Sequence, residues 1–263
     1  MSKLQIKYSK EIAKELGKIA VCLPGEQVKV GDIIKFPYGK TLFGKTRPMG
    51  TFKKITSLKK IGIKHDKPIF SNAPDTYYFT SRKAVEFNTK SKSNFNLQND
   101  KLLKTDGTIH VEFSSEGAIY FLAIDCDKKE LNDLLAIENA VNVKGKEMLW
   151  DDTYLVTSVT IAKKALILQS RSKSSGITIE GNISGISSGT LKTNASSKFH
   201  FKNQTGDVFI KNWSDDVTVF MDVVKFEKQV FESEGYRNAV EKAKIKFKKV
   251  KIDDLLINHT KEK

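Results

Sequence analysis

The chain has 263 residues, of which 39% are hydrophobic, and its 45 Lys and Arg outnumber 31 Asp and Glu, giving a formal net charge of +14. No run of eighteen apolar residues is present, which argues against a membrane-spanning helix. The start MSKLQIKYSKEIAKEL lacks the apolar centre of a signal peptide, and two cysteines are too few for a disulfide scaffold. We therefore expect a cytoplasmic protein that is soluble at first.

The first predicted element is a short amphipathic helix that begins at the cap Ser9 and ends at Gly17, with its apolar residues on one face. IAVCL and VKVGDIIKF are predicted strands on either side of a Pro-Gly turn. A second short helix is predicted over residues 56–61.

The region around these elements is the most basic section of the chain. Between Asp32 and Asp66 there are nine basic residues and no acid, and residues 1–105 hold 22 Lys and Arg against 8 Asp and Glu. Such a positive field attracts polyanions, whether nucleic acid or an anionic lipid surface. The predicted lipid- or anion-binding residues are Lys35, Lys40, Lys45, Arg47, Lys53, Lys54, Lys59 and Lys60.

GKTLFGKTRPMG, residues 39–50, matches the phosphate-binding loop pattern G-x-x-x-x-G-K-S/T. A working loop needs a helix that begins at its Lys-Thr end. Pro48 disfavours helical geometry at Arg47, and Gly50 weakens any helix that starts there. We interpret the stretch as a basic surface loop, and nucleotide hydrolysis is the third and least favoured function.

From residue 76 onward the pattern is mostly β, with aromatic and β-branched residues in partial alternation. A helix is predicted from Lys128 to Ala140, and the acids of DCDKKE are placed at its start, where the helix dipole favours negative charge. The other predicted strands are 76–87, 107–113, 118–125, 206–213 and 218–226.

Residues 153–173 contain neither Gly nor Pro, which predicts a very long strand with a bend near Lys163. The Ser-, Gly-, Thr- and Asn-rich segment that follows has a linker-like composition, but Ile177 and Ile179 alternate with polar residues. That alternation favours long, weakly specified strands instead.

Residues 236–250 close the chain with apolar positions three and four apart among lysines, which predicts a basic amphipathic helix. The predicted fold class is therefore α+β: a twisted, mostly antiparallel sheet with long β-hairpins, a few short helices and this C-terminal helix. We predict one domain over residues 1–227, in which residues 1–105 are basic and residues 106–227 form the hairpins and sheet, and a separate tail over residues 228–263.

The sequence shows no recognisable catalytic or metal-binding constellation. The four histidines (His65, His110, His200 and His259) are scattered and pair with no cysteine at metal-ligand spacing, and no Gly-x-Ser-x-Gly is present. Cys22 lies among apolar residues, which favours a buried core thiol. We expect a protein that is not an enzyme and that holds no metal or cofactor.

The order of these elements resembles that of bacterial gasdermins. The most specific stretch is TYLVTSVTIAKKALILQSRSKSSGITIEGN followed by GTLKTNASSKFHF, which is similar to the second pore-forming hairpin of that family. Residues 108–226 carry the resemblance, and the N-terminal helix and strand add to it. Bacterial gasdermins often have a lipidated cysteine near the N-terminus, whereas the first cysteine of this chain is Cys22.

The resemblance implies an autoinhibited membrane pore-forming effector of bacterial cell death or anti-phage defence. An activating protease removes a C-terminal segment, after which the protein moves from the cytoplasm to the inner membrane, binds anionic lipid, forms a homo-oligomer and inserts hairpins into a β-barrel. The implied inhibitory tail residues are Tyr236, Val240, Phe247 and Leu255. The implied membrane-inserting residues are Val159, Ile161, Leu166, Leu168, Ile177, Ile179, Ile183 and Leu191.

A second function is kept as an alternative. The Lys-rich N-terminal region can contact the phosphates of nucleic acid, with the β region as a scaffold. This alternative predicts binding that weakens steeply with salt, although the sequence has no recognised nucleic-acid-binding signature.

Overall fold

The computed structural model describes residues 3–21, 27–40, 46–71, 74–81, 83–90, 106–144, 150–182, 199–213, 216–230 and 243–256. Every strand pairing among these residues is antiparallel, and strands far outnumber helices. The fold class is α+β with long hairpins, which confirms the prediction for the sheet.

The first helix, α1, spans Lys3–Leu16 and so begins before the predicted cap. Ser9 lies in its buried face, and the Ser9 hydroxyl donates to the carbonyl of Gln5 at 3.1 Å. The helix ends at Gly17, whose φ of +61° is left-handed and whose N–H donates to the carbonyl of Ala13 at 3.0 Å. Glycine accepts this backbone conformation without steric cost, so the predicted helix end is correct.

The second helix, α2, spans Leu134–Lys144, several residues later than predicted. The carboxylate of Asp133 accepts the N–H of Ala136 at 2.9 Å and caps the first turn. Residues 128–130, which the sequence pattern places in the helix, continue the preceding strand. The acids of DCDKKE therefore lie in a strand, and their predicted position at a helix start is wrong.

The strands in chain order are β1 (Ile19–Ala20), β2 (Asp32–Lys35), β3 (Tyr38–Lys40), β4 (Thr46–Pro48), β5 (Lys53–Ser57), β6 (Ile69–Phe70), β7 (Asp75–Thr80), β8 (Val85–Lys90), β9 (Asp106–Phe113), β10 (Ile119–Glu130), β11 (Tyr154–Ser170), β12 (Ser175–Asn182), β13 (His200–Thr205), β14 (Val208–Trp213), β15 (Val217–Val230) and β16 (Ala243–Lys249). A short 3₁₀ helix, Ile252–Leu255, follows β16.

Ten of the described strands form the main sheet, with the long strand β11 at its centre. On one side β11 pairs with β10 and β2, and on the other with β15 and β14. β10 pairs in turn with β7 and β6, and β15 with β1 and β16. The 17 residues of β11 form one continuous strand without the predicted break at Lys163, although its neighbour on one side changes from β15 to β14 between Ala162 and Ala165.

Four further strands form the small sheet, in the order β13-β12-β9-β8. It consists of two hairpins, β8–β9 and β12–β13, which pair with each other through β9 and β12. β3 and β4 pair separately as a two-stranded hairpin.

The small sheet, the main sheet and α1 form three layers. Alternate residues of β10 point to opposite faces, as period-two geometry requires. Tyr120, Leu122 and Ile124 pack toward the small sheet, and Ile119 and Phe121 pack toward α1. Two further clusters of buried apolar residues lie at the other end of the main sheet. Helix α2 covers one of them, and the C-terminal 3₁₀ helix packs into the other.

The predicted C-terminal amphipathic helix is wrong for the described section of the tail, because Ala243–Lys249 is strand β16. The predicted helix at residues 56–61 is also wrong, since residues 53–57 pair with β2 and a turn follows. In both places hydrogen bonds to a neighbouring strand favour a strand over a helix. The periodicity of the local sequence cannot show these hydrogen bonds. The predicted domain boundary after residue 227 falls inside β15.

Candidate functional site

Four strands of the main sheet continue directly into the four strands of the small sheet. In the main sheet the neighbours are β7, β10, β11 and β14, in that order. In the small sheet the neighbours are β8, β9, β12 and β13, again in that order. Each pair is joined by a short turn: β7 to β8, β9 to β10, β11 to β12 and β13 to β14. The two sheets are therefore one four-stranded ribbon, folded back on itself at four corners.

Hydrogen bonds between the corners run across the whole ribbon. Ser114 N–H donates to the carbonyl of Ala84 at 3.1 Å and joins the first corner to the second. Gly117 N–H donates to the carbonyl of Ser170 at 2.7 Å and joins the second to the third. Arg171 N–H donates to the carbonyl of Asp207 at 2.7 Å and joins the third to the fourth.

Left-handed backbone and short serine contacts keep these corners sharp. Lys83, Gly117 and Gly206 have φ values of +60°, +76° and +64°. At the third corner the hydroxyls of Ser170 and Ser175, on either side of the turn, lie 2.7 Å apart and are buried. The bend is thus built from a few local features.

The two faces of the small sheet differ sharply in polarity. Its inner face carries Ile109, Val111, Phe113, Ile177 and Ile179, each at most 1% exposed. Its outer face, read across the strands, carries polar side chains at the alternate positions, including Glu86, Asn88, His110, Glu112, Thr178, Glu180 and Lys202. One apolar and one polar face is the alternation that the wall of a membrane barrel requires.

Polar side chains on this outer face contact one another, and one of these contacts joins the two hairpins. His110 Nδ1 lies 3.0 Å from the Thr178 hydroxyl across the β9–β12 seam. Glu112 Oε1 accepts from Asn88 Nδ2 at 3.1 Å and lies 3.6 Å from His110 Nε2. The His110–Thr178 contact joins the two hairpins, whereas the contacts of Glu112 lie within the β8–β9 hairpin.

The predicted membrane-inserting residues are divided between the two sheets. Leu166 and Leu168 on β11 face Ile177 and Ile179 on β12 within one core. Val159 and Ile161 also lie on β11 but belong to the core beneath β2 and β15. β11 and β12 are consecutive yet lie in different sheets, so the hairpin partner of β12 is β13. Ile183 and Leu191 lie outside the described residues.

The structure brings several of the predicted anion-binding lysines together on β2 and β5. Lys35 lies opposite Lys53, and Lys54 is the next residue along β5. Lys54 Nζ forms an ion pair of 2.7 Å with buried Asp32, so some of its charge is neutralised. Lys53, Lys59 and Lys60 are exposed; Lys40 and Arg47 are on β3 and β4, with only their backbone described; Lys45 is outside the described residues.

The two described ends of the phosphate-loop match lie in strands β3 and β4, and residues 41–45 between them lie outside the described residues. Thr46 begins a strand and pairs with Lys40, so no helix starts at the Lys-Thr end. Tyr38, at the base of the hairpin, hydrogen-bonds Asp152, which also pairs with Lys225 at 3.1 Å. Burial alone would raise the pKa of Asp152, but the bonds from Tyr38 and Lys225 hold it below its usual value.

The C-terminal segment packs against two of the cores. Phe247 contacts Phe226 edge-on at 5.3 Å, and Phe226 stacks on Trp150 at 4.3 Å. Leu255 is 1% exposed in the core beneath β2 and β15, and the 3₁₀ helix that carries it lies against β4 of the basic hairpin. Tyr236 and Val240 lie outside the described residues.

Within the described section of the chain, no three His, Cys, Asp or Glu side chains are arranged to hold a metal ion. Neither described helix has the length and apolar character needed to span a membrane. Burial raises the pKa of the Cys126 thiol to about 12, so it stays protonated at neutral pH. Cys22 lies outside the described residues.

No protein-family model matches the chain, and no curated protein matches it either. Among solved structures, the chain is similar to one described as the cryo-EM structure of the gasdermin A3 membrane pore, at 10% sequence identity and a TM-score of 0.35. The similarity covers 92% of this chain and 93% of that chain. Two chains at this TM-score are not shown to share a fold, so the chain is assigned to no family.

The corner residues are the features of the candidate site that sequence analysis missed. A local signal was present, since SSEG, SRSKSS and TGD cluster turn-forming residues between alternating strands. Recognising that the four turns lie on one line required the strand order of both sheets.

Proposed function

We propose that this chain is a pore-forming membrane protein that acts without catalysis, by straightening the folded ribbon at its four corners. The observation that carries the proposal is the matching order of neighbours in the two sheets. Straightening extends each strand of the main sheet into its continuation in the small sheet, and no strand has to exchange its partner. The product is a long four-stranded ribbon with one apolar and one polar face.

Burial explains why the ribbon stays folded in water. The five apolar side chains on the inner face of the small sheet are almost fully buried. Exposing them costs about 1.5–3 kcal/mol each, a total on the order of 10 kcal/mol and comparable to the whole stability of a domain. Lipid removes most of this cost because the same face then contacts hydrocarbon.

A membrane-spanning strand takes about 9–11 residues. The described strands of the small sheet have 6 to 8 residues each, and extending each strand through its corner into the main sheet lengthens it.

The backbone requirement of the membrane makes the active form an oligomer. The outer edges of the ribbon are β7–β8 and β13–β14, and in the described residues neither edge pairs with a further strand. Strand edges do not persist in hydrocarbon, so copies must pair side by side into a closed barrel. The exposed lysines of β5 and the following turn bring the protein to an anionic leaflet, at about 1 kcal/mol per well-placed charge.

The C-terminal segment is proposed to hold the protein inactive until a protease cuts before β16 and the segment dissociates. It pairs with the edge of β15, and its 3₁₀ helix lies against β4 of the basic β3–β4 hairpin. On this proposal the protein rests in the cytoplasm and acts at the inner membrane in bacterial defence.

A disulfide across the third corner tests the proposal. Ser170 and Ser175 have hydroxyls 2.7 Å apart, so Ser170→Cys with Ser175→Cys places two thiols within bonding reach. Cys22 is replaced by Ala throughout. After the chain is cut between residues 230 and 243 and the C-terminal fragment has been removed, we expect the oxidised double variant to release no dye from anionic vesicles and the reduced form to release it. Ser175→Cys alone is the control and should leak in both redox states. Equal leakage from the oxidised and reduced double variant contradicts corner straightening, and no leakage from any cut form that has lost the fragment contradicts pore formation.

A further inference from the structure

Helix α2 contacts the main chain of β16 through two side chains. Asn142 Oδ1 accepts the N–H of Ile245 at 2.7 Å, and Asn142 Nδ2 donates to the carbonyl of the same residue at 2.9 Å. Glu138 Oε2 accepts the N–H of Phe247 at 2.7 Å. The amide of Asn142 thus takes the place that a residue of a neighbouring strand would fill.

The spacing of the two side chains fits an extended peptide. Asn142 and Glu138 are four residues apart on α2, which is about 6 Å along a helix axis. Ile245 and Phe247 are two residues apart on β16, which is about 6.8 Å along a strand. The intervening residue, Lys246, directs its backbone to Glu227 on β15. The strand is therefore held on both edges, by β15 on one side and by side chains of α2 on the other.

Side chains of the segment add selectivity to this main-chain contact. Phe247 and Ile245 point into the core beneath α2, where Phe247 meets Phe226. Lys246 Nζ pairs with Glu138 Oε1 at 3.0 Å, and Lys248 Nζ pairs with Glu227 at 3.0 Å. The arrangement suits an extended segment with apolar residues at alternate positions and lysines between them.

Glu138 is 7% exposed, so its carboxylate depends on these partners. A buried carboxylate without partners is costly, and removing β16 takes away both of the β16 groups that contact it. A strand of the same pattern would supply these two groups to Glu138 again.

We infer that the groove between β15 and α2 is a binding site for an extended basic peptide, recognised through its main chain by Glu138 and Asn142. Its occupant in the intact chain is β16. A chain cut between Val230 and Ala243 keeps the segment bound, so cleavage alone does not release it. The regulatory role of the site rests on the proposed function, whereas peptide binding can be measured independently of it.

The experiment uses the full chain with a protease recognition sequence replacing some of residues 231–242. After cutting, gel filtration shows whether the C-terminal fragment elutes with the rest of the protein. We expect co-elution, and a fragment that elutes separately from the wild-type sequence overturns the inference. Asn142→Ala is expected to release the fragment about tenfold faster, since two main-chain hydrogen bonds are lost. Asn139→Ala, at an exposed position of the same helix, is the control; equal release from both variants also overturns the inference.

A second measurement avoids variants that fail to fold. A synthetic peptide of residues 243–256 competes with the fragment in the cut protein, and the same peptide with an N-methyl group at Ile245 lacks the N–H that Asn142 accepts. We expect the methylated peptide to compete about tenfold more weakly. Equal competition shows that α2 does not recognise the main chain and overturns the inference.

Vesicle leakage from the same samples separates this inference from the proposed function. The fragment can stay bound after cutting while no dye leaks, even once the fragment has been removed. That result supports the binding site and contradicts the pore. A fragment lost at once after cutting, together with leakage, supports the pore and contradicts the binding site.

Discussion

Gly50 controls how closely the C-terminal segment can approach the rest of the protein. A Cβ at this position would lie 2.5 Å from Leu256 Cδ2 and 3.3 Å from Ser9 Cβ, and its backbone φ is +77°. Gly50→Ala therefore has two costs: a left-handed alanine, and displacement of the Leu256 side chain, which is 9% exposed.

The two costs can be separated with a matched control. A left-handed alanine costs about 1–2 kcal/mol, and losing the burial of a leucine costs about 1.5–3 kcal/mol. Gly62 has a φ of +75°, and a Cβ added there would meet nothing within 4 Å, so Gly62→Ala carries only the first cost. We expect Gly50→Ala to lower the free energy of unfolding by about 1.5–3 kcal/mol more than Gly62→Ala does.

Equilibrium urea denaturation measures this difference, and limited proteolysis of the C-terminal segment shows where the destabilisation falls. The segment in Gly50→Ala should be cut faster than in Gly62→Ala. Leu256→Ala should lower the free energy of unfolding less in the Gly50→Ala background than in the wild-type protein, because both changes remove the same contact. Equal unfolding free energies for Gly50→Ala and Gly62→Ala would refute the reasoning.

Two further predictions concern charge. The double variant Lys59→Ala with Lys60→Ala should weaken binding to anionic vesicles, measured by sedimentation, about 30-fold, at about 1 kcal/mol per lysine. The exposed control pair Lys163→Ala with Lys173→Ala should change this binding little, and equal losses from both pairs argue against a local site. Salt-sensitive binding to DNA or RNA but not to vesicles favours the nucleic-acid alternative. Burial raises the pKa of both Cys126 and Tyr154 to about 12. The unfolded chain ionises these groups at lower pH, so stability is complete below the unfolded pKa values and should fall as pH rises from about 9 toward 12. Guanidinium denaturation across this range measures the fall; Cys126→Ala should make it shallower, and a flat profile contradicts the assignment.

The sequence determined the alternation of the small sheet and the end of α1. In β9 and β12 the apolar residues recur at every second position. Because successive side chains of a strand point to opposite faces, this alternation indicates a strand with one buried face. Gly17 ends α1 because the left-handed geometry there is local to a single residue. Such features depend on neighbouring residues in the chain and can be predicted from them.

Only the tertiary structure decided the conformation of the tail. In residues 236–250 the apolar positions fit a helix, and within residues 243–249 the alternation of Ile245 and Phe247 with lysines fits a strand equally well. The strand forms because β15 presents an open edge and Asn142 satisfies the outward main-chain groups of Ile245. Both partners are distant in sequence, and no local pattern encodes them.

The folded ribbon was decided in the same way. The long strand β11 and the alternating strand β12 were both visible in the sequence, and together they suggested a single hairpin. Whether consecutive strands pair with each other or continue into different sheets depends on which neighbours lie beside each of them. Hydrogen bonds to β9, β10, β13 and β14 settle that choice. These bonds are made by backbone N–H and C=O groups, which are alike in every residue, so the sequence does not show which strands will pair.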